Sequence, residues 1–133
     1  MDKEIKKIVK KAVKNISDGL MADDWFVSSS KGDIDCYERE LEAILKKACK
    51  DVVQNGYKKG MVKDVIKETA NVANATITLS ISLYNDYYDN YKDCLEPYVK
   101  EALKSCDKLH ESKKLYESSD LYVEASEEED LER

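Results

Sequence analysis

Glycine and proline are scarce in this sequence. Four glycines and one proline in 133 residues are too few for the many tight turns of a β-sandwich, a β-barrel or a doubly wound sheet. Lysine, glutamate, leucine and alanine, which favour helices, are plentiful. The length suits a single domain, so we predict one all-α domain.

Long hydrophobic runs are also missing. The opening segment, MDKEIKKIVKKAVKNI, has no uncharged apolar run longer than two residues, and no signal-peptide core or membrane span is predicted there or later. We therefore expect a cytoplasmic protein that makes no membrane contact. The cysteines form no C-x-x-C pair, and we expect them to be reduced in that compartment. They are Cys36, Cys49, Cys94 and Cys106.

Groups suited to catalysis are few. His110 is the single histidine, and the sequence has no nucleophile elbow and no recognisable pairing of cysteine with histidine. Cys106 precedes His110 by one helical turn and would form half of a zinc site with it, but no paired cysteines complete that site. We therefore predict no enzyme activity, no metal and no cofactor.

The first segment has the clearest helical pattern. Apolar side chains recur there at three- and four-residue intervals, which predicts a helix from Asp2 to Gly19. Residues 21–35 break the pattern and predict a connector whose aromatic residues, Trp25 and Phe26, fold back onto the core. The opposite helix face carries lysines. These are Lys3, Lys6, Lys7, Lys10, Lys11 and Lys14.

A second helix is predicted after the connector. Asp35 and Glu38 have the spacing of an acidic capping box and predict its start, and Asn55 followed by Gly56 predicts its end. The apolar stripe between them predicts its buried face. This face contains Tyr37, Leu41, Ile44, Leu45, Ala48, Cys49, Val52 and Val53.

The segment TITLSISLY, residues 76–84, fits two structures. Its apolar residues alternate as in a strand, but no second alternating segment is present to pair with it. We therefore predict one helix over residues 61–92, with a strand over residues 76–84 in an α+β fold as the alternative. Pro97 then predicts the first turn of a last helix that ends near residue 116.

The C-terminal segment is strongly acidic. Residues 117–133 contain eight carboxylates and one base, Arg133. Because such a run repels itself and buries little, we expect a disordered acidic tail after a four-helix domain over residues 1–116. Leu121 and Tyr122 form a short apolar patch within this tail, and we expect them to contact a partner.

Residues 91–103, YKDCLEPYVKEAL, are similar to the D-C-x-E-x-Y segment of plant invertase and pectin methylesterase inhibitors, which are helical bundles. The similarity covers only this segment. The early cysteine hairpin of those inhibitors has no counterpart here, and Cys94 and Cys106 lie too close in sequence for their second disulfide. The sequence is therefore assigned to no family.

Four tyrosines, Tyr84, Tyr87, Tyr88 and Tyr91, follow helical spacing and share one face. Tyrosine is rigid and amphipathic and is common in protein contact surfaces, although rings that cover the end of the bundle are an alternative. We therefore hypothesise a non-catalytic adaptor or inhibitor that acts by occupying the surface of another protein, with self-association as an alternative. The lysine-, asparagine- and tyrosine-rich composition suggests an AT-rich genome and a phage or mobile-element origin.

Nucleic-acid or nucleotide binding is the second functional hypothesis. It uses two lysine clusters, represented by Lys3, Lys7, Lys10 and Lys14 and by the pair Lys58 and Lys59, which would attract phosphate. The sequence contains only two arginines, and this disfavours sequence-specific recognition. In this hypothesis the acidic tail folds back and competes with the nucleic acid.

Overall fold

The computed structural model describes residues 2–27, 29–77 and 88–123, without the side chains of residues 114–123. These residues form four helices, α1 (Asp2–Ala22), α2 (Lys31–Asn55), α3 (Met61–Thr76) and α4 (Tyr88–Val123), and contain no strand. The predicted all-α fold of four helices is confirmed. The alternative prediction is a strand over residues 76–84. In this segment Thr76 ends α3, and residues 78–84 lie outside the described part of the chain.

Helices α2 and α4 run parallel and form the centre of the bundle. Near their beginnings the hydroxyl oxygens of Tyr37 and Tyr91 lie 2.7 Å apart. Further along both helices, the His110 ring lies 2.8 Å from the carbonyl oxygen of Val53. Each of these helices also packs against both α1 and α3, so α1 and α3 flank the central pair.

Helix α1 runs antiparallel to α2 and α4. The Ser17 hydroxyl donates to Glu38 at 2.6 Å and joins the end of α1 to the beginning of α2. Lys11 forms an exposed ion pair with Glu101 at 3.6 Å and joins the first half of α1 to the middle of α4. The Ser29 hydroxyl donates to the Ile77 carbonyl at 3.1 Å and brings the end of α3 to the beginning of α2, so helix directions alternate along the chain as in an up-and-down bundle.

The predicted single helix over residues 61–92 is wrong. The Tyr91 hydroxyl lies 3.0 Å from the hydroxyl of Thr69, whereas in one straight helix these residues would be about 33 Å apart. Helix α3 ends at Thr76, and Tyr88 begins α4. Pro97 lies inside α4 and not in a first turn, so the predicted start of the last helix is also wrong.

Helix α4 continues to Val123 and so extends beyond its predicted end near residue 116. The helical backbone includes the beginning of the predicted tail, including Leu121 and Tyr122. Residues 124–133, which the sequence predicts to be disordered, lie outside the described part of the chain.

The second helix begins earlier than Asp35. Ser30 caps α2, with its hydroxyl accepting from the Asp33 amide at 3.1 Å and its own amide donating to the Asp33 carboxylate at 3.4 Å. The predicted box of Asp35 and Glu38 therefore lies inside the helix. Ser30 and Asp33 have the three-residue spacing of a capping box, which explains the earlier start. Ile34, in the first turns of this helix, packs against the core.

The core draws side chains from all four helices and from the turn after α1. Phe26 is buried there, and Trp25 packs edge-on against Tyr91 with ring centroids 5.6 Å apart, which confirms that these aromatics fold back. The predicted stripes of α1 and α2 face this core. Helix α4 also contributes one apolar face to the core. Its buried members are Val99, Ala102, Leu103 and Cys106, with Leu109 partly buried.

Candidate functional site

His110 caps the end of α2. Because a carbonyl oxygen only accepts, Nδ1 of His110 carries the proton and donates to Val53, whose carbonyl lies in the last turn of α2. Gly56 ends the helix with φ +88, and a Cβ atom there would lie 3.3 Å from Nε2 of His110. Asp107 of α4 also accepts from the Tyr57 amide at 3.0 Å. These contacts give the only histidine a structural role.

The cysteines do not converge on His110. Among the side chains that the structure describes, no group of three or more His, Cys, Asp or Glu residues could hold a metal ion. Cys49 of α2 and Cys106 of α4 are buried free thiols. The hydrogen bond between them, together with burial, raises the pKa of Cys49. Burial and a 3.0 Å bond to Asp23 raise the pKa of Cys94 to about 12.

A chain of hydroxyl groups crosses the core between α2, α4 and α3. Thr69 donates to the Ile66 carbonyl at 2.8 Å and accepts from Tyr91 at 3.0 Å. The Tyr91 hydroxyl has one proton and donates it to Thr69. In the bond between the two tyrosines, Tyr37 is therefore the donor and Tyr91 the acceptor. Both rings are fully buried, and burial raises the pKa of Tyr37.

The expected tyrosine surface is therefore partly wrong. Tyr91 has no exposed surface and cannot contact a partner in the folded protein, because its hydroxyl and ring are both used in the core. Tyr88 lies one helical turn away and is half-buried against the same core. Tyr84 and Tyr87 lie outside the described residues, and so do the side chains of Leu121 and Tyr122.

The fold brings the two lysine clusters to one end of the bundle. Helix α1 begins beside the middle and later turns of α4, because Lys11 pairs with Glu101. The end of α2 and the following turn contact the same stretch of α4, through His110 and Asp107. We call this region the lysine-rich end. Its exposed lysines include Lys3, Lys6, Lys7, Lys50, Lys58, Lys59, Lys63 and Lys108.

The predicted polyanion-binding lysines are distributed over more than this end. Lys3, Lys7, Lys58 and Lys59 belong to it and are exposed. Lys10 is exposed further along α1, and Lys14 lies beyond it in an ion pair with Asp18 at 2.9 Å.

Carboxylates concentrate at the opposite end. The bond between Asp23 and Cys94 joins the turn after α1 to the beginning of α4, and the bond between Ser17 and Glu38 joins the beginning of α2 to the same region. We call this region the acidic end. Its carboxylates include Asp18, Asp23, Asp24, Asp33, Asp35, Asp89, Asp93 and Glu96. Lysines therefore concentrate at one end of the bundle and carboxylates at the other, although exposed carboxylates such as Glu4 and Asp51 also lie at the lysine-rich end.

A shallow groove of about 190 Å³ runs between α1 and α4 and adjoins the lysine-rich end. Lys7 and Lys11 contribute to its polar lining, and its apolar lining comes from Ile8, Ala12 and Ala102. We call it the α1–α4 groove. The remaining lining residues are Asn15, Tyr98, Glu101 and Ser105.

Three comparisons with known proteins add no identification, since the chain matches no protein-family model, no curated protein and no solved structure. The helices that the structure describes include none with the length and apolar content needed to cross a membrane.

Proposed function

We propose that this domain is a non-catalytic adaptor or inhibitor that binds an acidic segment of another protein at its lysine-rich end. The observation that carries the proposal is the convergence of exposed lysines from α1, from α2 and from the turn between α2 and α3. Clustered like charges raise the local potential and attract a partner of opposite charge. This surface replaces the tyrosine face as the proposed binding site, because Tyr91 is buried.

The α1–α4 groove supports a protein partner. Its lining combines apolar Ile8 and Ala12 with Lys7 and with Lys11, whose ammonium group lies 3.6 Å from Glu101. An acidic segment with an occasional apolar residue would place its carboxylates near these lysines and its apolar side chain against Ile8 and Ala12. A nucleic acid offers phosphate but no aliphatic side chain, so the groove favours a polypeptide.

A binding measurement with matched variants tests the proposal. Fluorescence anisotropy at low salt follows binding of a labelled polyglutamate peptide to the full chain. The triple variant Lys3→Gln, Lys7→Gln, Lys58→Gln removes charge from the lysine-rich end, and we expect its affinity to fall about tenfold, or about 0.5 kcal/mol for each charge.

The matched control removes the same charge elsewhere. The variant Lys31→Gln, Arg39→Gln, Lys92→Gln changes basic residues near the acidic end, and we expect its affinity for the peptide to fall much less. Equal losses in the two variants would show a general effect of net charge and would contradict the proposed site. Absence of peptide binding at low salt would also contradict it.

Nucleic-acid binding remains a second candidate because the same exposed lysines would contact phosphates. The same measurement with a labelled single-stranded oligonucleotide separates the two. Our proposal predicts tighter binding of the peptide than of an oligonucleotide of equal charge. Tighter oligonucleotide binding that falls steeply with salt would favour the second candidate.

A further inference from the structure

Two buried thiols face each other between the central helices, one helical turn before the contact of His110 with Val53. That contact, 2.8 Å from the histidine ring to the carbonyl oxygen, fixes how α2 and α4 are aligned at this level. Cys49 precedes Val53 by four residues, and Cys106 precedes His110 by four residues. Each thiol therefore lies one turn back on the same face of its helix. Because the two helices are parallel, the two thiols meet at one level.

The surroundings of the cysteines differ. Cys49 and Cys106 have no exposed surface, and a hydrogen bond joins their thiols. The other two cysteines lie near the beginnings of the same helices and are only partly buried. Cys94 donates to Asp23 at 3.0 Å, and Cys36 lies in the second turn of α2. The fold therefore matches Cys49 with a thiol and Cys94 with a carboxylate.

We propose that Cys49 and Cys106 form a reversible oxidation site, at which hydrogen peroxide converts the two thiols into a disulfide that joins α2 to α4. Cysteines on packed helices meet the main geometric requirement of a disulfide when their side chains point toward each other at one level. A dithiol reductant reverses the reaction by thiol–disulfide exchange. The proposal does not depend on binding at the lysine-rich end.

One molecule of hydrogen peroxide balances the reaction. The hydrogen bond from Cys49 favours the thiolate of Cys106 and lowers its pKa, so Cys106 is the first nucleophile. Its sulfur attacks a peroxide oxygen and the O–O bond breaks. The departing hydroxide takes up the proton that the thiol lost, which leaves a sulfenic acid and one water molecule.

The second step forms the disulfide. The sulfur of Cys49 attacks the sulfur of the sulfenic acid, the S–O bond breaks, and the hydroxyl group leaves with the proton of Cys49 as a second water molecule. The two sulfurs lose two electrons in total, and the two peroxide oxygens gain them. Burial requires a local opening between α2 and α4 before peroxide enters, so the pair reacts slowly.

Peptide mass spectrometry tests the pairing. The full chain is treated with hydrogen peroxide under folding conditions until the reaction is complete, and the remaining thiols are blocked with iodoacetamide after unfolding. We expect a link between Cys49 and Cys106 that dithiothreitol removes. A link between Cys36 and Cys94 as the main product, or sulfinic acid at Cys106 in place of a link, would overturn the proposal.

Single substitutions supply a matched pair of variants. Cys49→Ala removes the thiol of the second step, and we expect it to form no disulfide within the chain. Cys36→Ala also removes one thiol from α2 and is expected to form the link as the unchanged chain does. Circular dichroism checks that both variants are folded. A link formed equally well by both variants, or lost equally in both, would contradict the assignment.

Thermal unfolding of the unchanged chain needs no substitution and is therefore independent of how the variants fold. The disulfide closes a long loop between two helices and restricts the unfolded chain, so we expect the linked protein to have a Tm higher by on the order of 10 °C. Dithiothreitol is expected to return the Tm to its starting value. A linked chain with an unchanged or lower Tm would show that the native helices do not accommodate the bond and would overturn the proposal.

Discussion

Two tyrosine hydroxyls join the helices of the core through a hydrogen-bond chain with a fixed direction. Tyr37 donates to Tyr91, Tyr91 donates to Thr69, and Thr69 donates to the carbonyl of Ile66. Every proton in this chain has an acceptor, so the fully buried rings place no unsatisfied donor in the core. Removal of the middle hydroxyl leaves Tyr37 without an acceptor, whereas Thr69 loses a donor but still donates to Ile66.

We expect Tyr91→Phe to lower the free energy of unfolding by about 1–3 kcal/mol, because Tyr37 then has a buried hydroxyl without an acceptor. Urea unfolding followed by circular dichroism measures the change. Tyr98→Phe is the matched control, since Tyr98 lines the open α1–α4 groove and its loss is expected to stay within about 0.5 kcal/mol. Equal stability of Tyr91→Phe and the unchanged chain would contradict the hydroxyl chain.

Cys94 is expected to resist alkylation although it is only partly buried. Its pKa is raised from 9.0 to about 12 by burial and by the bond to Asp23, and the thiolate is the reactive form. We expect Asp23→Asn to speed the reaction of Cys94 with iodoacetamide, measured by peptide mass spectrometry. Asp24→Asn is the control, and an equal increase in both variants would contradict the role of Asp23.

The same pKa predicts how stability depends on alkaline pH. The folded chain keeps the Cys94 proton up to about pH 12, whereas the unfolded chain loses it near 9.0. The unfolded state therefore binds fewer protons in this window, and stability falls as the pH rises through it. Urea unfolding across the window is expected to show a shallower fall in Cys94→Ala than in the unchanged chain. Identical slopes would contradict the prediction.

At the scale of the helix, the start of α2 depends on Ser30. We expect Ser30→Ala to lower stability by about 1 kcal/mol, because the Asp33 amide loses its acceptor. Asp35→Ala is the informative control, since the sequence pattern predicts the cap there while the structure places Asp35 inside the helix. Thermal unfolding of both variants decides between the two positions, and a larger loss for Asp35→Ala would contradict the observed cap.

The helices that could be predicted are those whose apolar stripes remain on one face throughout. The stripes of α1 and α2 repeat regularly and face the core as expected. The end of α3 at Thr76 has no signal in the sequence, because no glycine or proline occurs between Gly60 and Pro97 to mark a break. Spacing also placed Tyr88 and Tyr91 on one face, but only the packing of α2 and α3 against α4 shows that this face is buried.

At the scale of the whole molecule, the important property is the separation of charge along the bundle. Both lysine clusters were visible in the sequence, at the start of α1 and around Lys58. Their convergence was not, since it requires an antiparallel α1 and a parallel pairing of α2 with α4. The sequence therefore predicted the charged residues of the candidate site but could not predict that they form one surface.

The attraction between the lysine-rich end and an acidic partner is solvent-exposed and therefore sensitive to salt. We expect the affinity for polyglutamate to fall steadily as the ionic strength rises. Light scattering provides a separate check, because the lysine-rich end of one copy would also attract the acidic end of another and the copies would associate. We expect this association to weaken as the ionic strength rises. Binding that does not change with salt would contradict an electrostatic site.

The most direct test of this account maps polyglutamate binding residue by residue. Amide chemical shifts of the full chain are followed by two-dimensional NMR as the peptide is added at low salt, with the acidic end as the internal reference. We predict that the largest shifts occur at the start of α1, at the end of α2 and around Lys58 and Lys59. Shifts centred on the turn after α1 and on Tyr88 would contradict the account.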